Sequence, residues 1–121
     1  MKSLFTRSKH NPILKPNPEN WWEAKKLYNP GAVFHDGEYH LFYRAMGGGE
    51  DWKSSIGYAI SKDGENFERF NQPLLVSENE AEKKGLEDPR ITKIGDLFYM
   101  AYAAYDGTTP SLSIAISEDL K

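Results

Sequence analysis

Two short segments of this chain each place a polar side chain directly before a proline. They are Asn29-Pro30-Gly31-Ala32-Val33 and Glu87-Asp88-Pro89-Arg90-Ile91. The carboxyl group of Asp88 can transfer a proton, whereas the amide of Asn29 can only donate and accept hydrogen bonds. Proline pushes the residue before it towards extended backbone and is tolerated at the first residue of a strand. We therefore predict that Asn29 and Asp88 stand at the entrances of two equivalent strands and point into one pocket.

Charged side chains near these segments widen the possible chemistry. Arg44 ends an apolar strand predicted at 39–43, where a guanidinium is costly unless it is paired or faces a ligand. Because alternate side chains of a strand share a face, Asp88 and Arg90 are expected on one side and Glu87 on the other. This set suits sugar or phosphate chemistry, and it equally suits a buried Asp–Arg ion pair that ties two parts of the fold together.

The aromatic and histidine side chains leave their own alternatives open. Trp21, Trp22 and Trp52 could stack on sugar rings, although such residues more often pack in a core or at its rim. His35 and His40 have no partners at a metal-ligand spacing. The sequence therefore predicts no metal site and places both histidines in loops or on strand surfaces.

Composition bounds the class of protein. The 121 residues suffice for one domain with a core, and 39% hydrophobic with 27% charged residues indicate a globular chain. A net charge of −3 favours neither nucleic acid nor a membrane as partner, and the absence of cysteine excludes a disulfide framework. No signal-peptide or transmembrane run is present, so a cytoplasmic protein is the simplest interpretation.

A repeat organises the chain. Its four ordered matches, at offsets of 56 to 61 residues, join 11–14 with 72–75, 29–30 with 88–89, 39–43 with 98–102, and 56–63 with 112–119. Aromatic and apolar runs that follow Asp36-Gly37 and Gly95-Asp96 predict strands after tight turns. Phe67 and Phe70 mark an outer strand, and the charged segment Glu78 to Lys84 fits either a short helix or a solvated loop.

This pattern predicts an all-β fold of propeller type, with about four strands in each repeat. Blade 1 is expected at about 11–71, and blade 2, which is incomplete, at about 72–121. Two blades cannot close a ring and would leave sheet edges and apolar faces exposed. The chain is therefore expected to be the N-terminal part of a longer protein or to assemble with further copies as a homo-oligomer.

One ordered set of motifs resembles the β-mannoside phosphorylases of glycoside hydrolase family 130. The set comprises Asn29 to Val33, Leu41 to Arg44, Ser55 to Ala59 and Gly85 to Arg90, and the resemblance runs from about Asn11 to Lys121. It implies a five-bladed β-propeller, of which this chain supplies about the first two blades. It also implies cleavage of β-mannosides by inorganic phosphate, with inversion, to give mannose 1-phosphate.

The resemblance assigns roles to the residues singled out above. Asp88 matches the catalytic acid, which acts in the family through the 3-hydroxyl of the sugar, and Asn29 and Arg44 match residues of the mannosyl subsite. Glu87 and Arg90 are expected to bind substrate beside them. Phosphate is itself an anionic nucleophile, so one carboxylic acid suffices where an ordinary inverting glycosidase needs an acid and a base. No cofactor is expected, the phosphate site is expected beyond Lys121, and this chain alone is expected to be inactive.

Two other functions remain open on the sequence. A glycoside hydrolase of the same propeller fold usually carries an aspartate as base or nucleophile where this chain has Asn29, and an amide can serve as neither. A non-catalytic propeller that binds carbohydrate would explain the repeat but not the combination of Asn29, Arg44 and Asp88.

Overall fold

The computed structural model describes residues 3–49 and 53–120. Within these ranges the fold consists of strands, which confirms the all-β prediction, and its only helix is one 3-10 turn at Glu80–Glu82. No helix in this part of the chain is long and apolar enough to cross a membrane. The strands are β1 (Lys26–His35), β2 (Glu38–Met46), β3 (Ser54–Ser61), β4 (Glu68–Arg69), β5 (Gly85–Ile94), β6 (Leu97–Tyr105) and β7 (Pro110–Ser117).

The strands form one sheet made of two antiparallel meanders. β1, β2, β3 and β4 pair in chain order and form the first meander. β5, β6 and β7 repeat the pattern as the second meander. The two meanders are joined where β3 runs parallel to β5, at Ser54 and Gly85. The strand repeat is thus as the sequence predicts, while its boundaries at 11–71 and 72–121 stay a prediction.

Local chemistry explains where the strands turn and end. Asp36 and Gly37 have φ of +49° and +80° between the paired residues His35 and Glu38. Left-handed backbone at both positions is what a two-residue hairpin turn needs, and Asp-Gly adopts it readily. The predicted outer strand is also present, since β4 lies between Phe67 and Phe70 and pairs with β3.

The core lies on both faces of the first meander. One apolar cluster fills the space between the two meanders and comprises Phe42, Ile56, Tyr58, Leu86, Phe98, Met100 and Leu120. A second cluster on the opposite face comprises Trp22, Leu41, Tyr43, Ala45 and Ala59. Alternation along β2 sends Phe42 to the first cluster and its two neighbours to the second. The first cluster is therefore what fixes the second meander against the first.

Two expectations about aromatic and histidine residues are settled by burial. His40 is 4% exposed and its Nδ1 lies 2.7 Å from the hydroxyl of Tyr58, so its predicted surface position was wrong. A ring nitrogen that shares a hydrogen bond can be buried at little cost. Trp22 packs in the core at 2% exposed, whereas Trp21 is 71% exposed. Trp52 lies outside the described residues.

Candidate active site

Asn29 and Asp88 occupy equivalent bulges inside strands. Each is the fourth residue of a ten-residue strand, β1 or β5. Pairing with the neighbouring strand shifts register between Tyr28 and Gly31 and again between Glu87 and Arg90. The φ angles of Asn29 and Asp88 are +47° and +54°.

The prediction that these residues stand extended at strand entrances was therefore wrong. A proline has no N–H to donate, so it cannot continue the ladder in the middle of a strand. The chain accommodates it with a bulge, which lets the strand resume after the proline. The residue before each proline takes the left-handed conformation, which aims its side chain differently from that of a regular strand residue.

The two bulges bring an amide, a guanidinium and two carboxylates together. Asn29 Nδ2 donates to Asp88 Oδ1 over 2.8 Å. Arg44 from β2 reaches Glu87 Oε1 at 2.6 Å through Nη2 and Asp88 Oδ1 at 3.4 Å through Nη1. Simple alternation predicted Glu87 and Asp88 on opposite sides, and this was wrong because the bulge at Asp88 interrupts the alternation.

Two residues that sequence reasoning missed hold Arg44 in place. Its Nε donates to Ser54 Oγ over 2.8 Å, and its guanidinium carbon lies 4.8 Å from the centre of the Tyr28 ring. A guanidinium over an aromatic face is attracted by the electrons of the ring. Tyr28 adjoins Asn29 in sequence, which is the only signal that pointed to it. Ser54 gave none, because its contact depends on how β3 lies beside β2.

Arg90 is placed differently from its neighbours. The sequence placed it on the same side as Asp88, but its Nη1 contacts the backbone carbonyls of Asn29 at 3.2 Å, Pro30 at 3.3 Å and Pro89 at 2.8 Å. Its guanidinium therefore lies on the backbone of both bulges, whereas that of Arg44 lies among side chains.

The charges and exposure of the site distinguish the two carboxylates. The side chain of Glu87 is 22% exposed and takes the short ion pair with Arg44, while that of Asp88 is 42% exposed and takes the long one. Both contacts of Asp88 fall on Oδ1, so Oδ2 takes no part in either. An amide and a guanidinium thus hold one carboxyl oxygen of Asp88, in a side chain that is partly exposed.

A metal centre finds no support in the described part of the chain. Across residues 3–49 and 53–120, no group of three or more histidine, aspartate or glutamate side chains is arranged so that it could hold a metal ion.

Comparison with known proteins gives the family. Residues 5–121 match the family model described as β-1,4-mannooligosaccharide phosphorylase. The chain is 44% identical over 114 residues to a β-1,2-mannobiose phosphorylase of Thermoanaerobacter sp., and 43% identical over 104 residues to a 1,2-β-oligomannan phosphorylase of the same organism. These alignments cover 85% and 82% of this chain but 38% and 35% of the relatives. The chain belongs to glycoside hydrolase family 130.

Solved structures agree with this family and fold. A protein of Bacteroides ovatus that was solved as a candidate glycoside hydrolase superposes with a TM-score of 0.87 at 30% identity. The match covers 100% of this chain and 39% of that protein. A second structure comes from a study of hydrolases in the mannoside phosphorylase family that target β-1,2-mannosidic linkages in Candida mannan. It superposes with a TM-score of 0.86 at 32% identity, and the match covers 95% of this chain and 38% of that chain. The chain therefore spans less than two fifths of the length of these four relatives.

Proposed function

We propose that the protein containing this chain is a β-mannoside phosphorylase in which Asp88 is the catalytic acid. The observation that carries the proposal is the partly exposed carboxyl of Asp88, fixed through Oδ1 by Asn29 at 2.8 Å. Relatives at 43% and 44% identity are phosphorylases of β-1,2-mannosides, which supports the same reaction class here.

The reaction requires one proton donor and one nucleophile. An oxygen of inorganic phosphate forms a bond to the anomeric carbon of the mannosyl unit while the bond to the glycosidic oxygen breaks. That oxygen takes a proton that originates on Asp88 and is relayed through the sugar 3-hydroxyl, and solvent returns a proton to Asp88. Attack from the face opposite the leaving group inverts the anomeric centre and releases mannose 1-phosphate.

The remaining residues of the site bind the mannosyl unit. The amide of Asn29 and the guanidinium of Arg44 suit sugar hydroxyls, since both are oriented by contacts to the carboxylates. Glu87 takes the short ion pair with Arg44 and so leaves Asp88 the less constrained carboxyl. Arg90 was expected to bind substrate as well, but its guanidinium contacts the backbone carbonyls of the two bulges instead.

We further infer that the whole protein is a five-bladed propeller to which this chain contributes about two blades. In the first meander, Ile56 and Tyr58 are buried against the second meander. Their repeat equivalents on β7, Leu112 and Ile114, are 91% and 64% exposed. A further blade that packs on β7 would bury them in the same way. The phosphate site is expected on such later blades.

The test uses the protein at its full natural length. With β-1,2-mannobiose or β-1,4-mannobiose as substrate, mannose 1-phosphate should form only when inorganic phosphate is present. Free mannose in phosphate-free buffer would instead indicate a hydrolase, and binding without turnover would indicate a carbohydrate-binding protein.

An Asp88→Asn variant tests the acid. Loss of a general acid typically costs about 100-fold to 10,000-fold in rate, and the variant should retain its fold because the amide can still accept from Asn29. Asp96→Asn, in the exposed turn before β6, is the matched control and should keep wild-type activity. An Asp88→Asn enzyme with full activity would remove Asp88 from the mechanism.

A further inference from the structure

Arg90 connects the two bulges through their backbones. Its Nη1 lies within 3.3 Å of three carbonyl oxygens, two from the β1 bulge at Asn29 and Pro30 and one from its own bulge at Pro89. A single cationic nitrogen therefore bridges strands that belong to different meanders.

The bulges explain why the carbonyl of Pro89 needs such a donor. The register shifts remove Asn29-Pro30 and Asp88-Pro89 from the regular pairing of their strands. A carbonyl that has left the ladder needs another donor wherever water is excluded. Pro89 is fully buried and meets this condition, whereas Asn29 and Pro30 are exposed. Hydrogen bonds from a charged donor are stronger than those from a neutral one, so a guanidinium suits this position.

The backbone conformation also needs support. Asn29 and Asp88 are non-glycine residues at positive φ, a conformation that persists when the surrounding structure enforces it. The two bulges are also in close contact, because a Cβ placed on Gly31 would lie 2.6 Å from the carbonyl oxygen of Pro89. Any displacement of one bulge is thus passed directly to the other.

We propose that Arg90 is a positioning residue that clamps the β1 and β5 bulges together and so fixes the amide of Asn29 against the carboxyl of Asp88. This inference rests on the proposed function and deepens it. Arg90 acts through backbone carbonyls, without contact to sugar or phosphate. The clamp sets the 2.8 Å contact between Asn29 Nδ2 and Asp88 Oδ1 on which the acid depends.

A double-mutant cycle on the full-length protein separates this role from direct substrate binding. Arg90→Met should lower kcat/KM by about 100-fold, as expected when reacting groups are displaced by about 1 Å. If Arg90 acts partly through Asn29, the double variant Arg90→Met/Asn29→Ala should lose less kcat/KM than two independent effects would give. Its fold-loss should be about tenfold smaller than the product of the two single fold-losses. Losses that multiply would overturn the clamp in favour of an independent contact, and an unchanged Arg90→Met enzyme would overturn it altogether.

The crystal structure of the full-length Arg90→Met variant gives a readout that does not depend on activity. The distance between Asn29 Nδ2 and Asp88 Oδ1 should open beyond hydrogen-bonding range, to more than about 3.5 Å. An unchanged distance would overturn the clamp. If the wild-type protein phosphorolyses neither mannobiose, the proposed function fails, while this distance still decides the role of Arg90.

Two further variants test whether the effect of Arg90→Met is specific to its guanidinium. Arg90→Lys keeps a cationic donor and should retain more activity than Arg90→Met. Arg90→Gln, which also removes the charge, takes the place of Arg90→Met in both measurements if that variant does not fold. Lys93→Met removes a positive charge from the same strand, away from the bulge, and should leave kcat/KM unchanged. Equal losses in Arg90→Met and Lys93→Met would contradict a specific clamp.

Discussion

Tyr43 shows how one hydroxyl supports a buried charge outside the candidate site. Its Oη donates to Glu23 Oε2 over 2.9 Å, and Glu23, which is fully buried, also pairs with Arg69 at 2.9 Å. Tyr43→Phe removes one donor from a buried carboxylate and should lower the free energy of unfolding by about 1–3 kcal/mol. Chemical denaturation measures this cost. Tyr99→Phe on β6 serves as control, with a change expected within about 0.5 kcal/mol.

The same residue predicts a dependence on alkaline pH. Burial, followed by the charge of Glu23 and the hydrogen bond to it, raises the pKa of Tyr43 above its ordinary value. The stability linked to this shift is therefore fully present below the unfolded pKa of about 10 and is lost as pH rises towards the folded value. The stability deficit of Tyr43→Phe relative to wild type should shrink as pH rises above about 10. A deficit that stays constant with pH would contradict this linkage.

At the scale of the strand, the bulges of β1 and β5 determine how close the meanders can approach. A Cβ on Gly31 would meet the carbonyl oxygen of Pro89 at 2.6 Å and the Cα of Arg90 at 3.1 Å, and both are backbone atoms. Gly31→Ala should therefore separate the bulges, destabilise the protein by about 1–3 kcal/mol, and lower the proposed phosphorolysis activity of the full-length protein. In Gly48→Ala the nearest atom is the flexible end of Lys25, so both stability and activity should be kept. Wild-type stability in Gly31→Ala would show that the bulges can move apart freely.

The strands were predictable from the sequence because their signals are local. Alternating apolar and aromatic residues with Asp-Gly or Gly-Asp between them are enough to predict β2 and β6 and the turns before them. The proline motifs also identified Asn29 and Asp88 as a related pair. The directions of their side chains could not be predicted in the same way, because a bulge depends on which residues the partner strand offers. The same limit applies to Ser54, whose contact with Arg44 joins two strands.

At the scale of the whole molecule, β7 presents an apolar face without a packing partner among the described residues. Leu112, Ile114 and Ile116 are 91%, 64% and 60% exposed, although alternation puts all three on one side of the strand. Their equivalents one repeat earlier are Ile56, Tyr58 and Ile60. Of these, Ile56 and Tyr58 form the core between the meanders and Ile60 packs against it. In the proposed five-bladed arrangement, the β7 face would be the surface that packs against the next blade.

Ile114→Ala tests this in two proteins that differ only in length. If a further blade covers β7, the substitution should lower the free energy of unfolding of the full-length protein by about 2–5 kcal/mol, the usual cost of emptying a core site. In the chain of residues 1–121 alone, the side chain stays largely in solvent and the change should lie within about 0.5 kcal/mol. Ile94→Ala, at a site 62% exposed at the end of β5, should be close to neutral in both lengths. A small effect of Ile114→Ala in the full-length protein would mean that no blade packs on β7. The proposed five-bladed arrangement would then be wrong, because it requires this side chain to be buried.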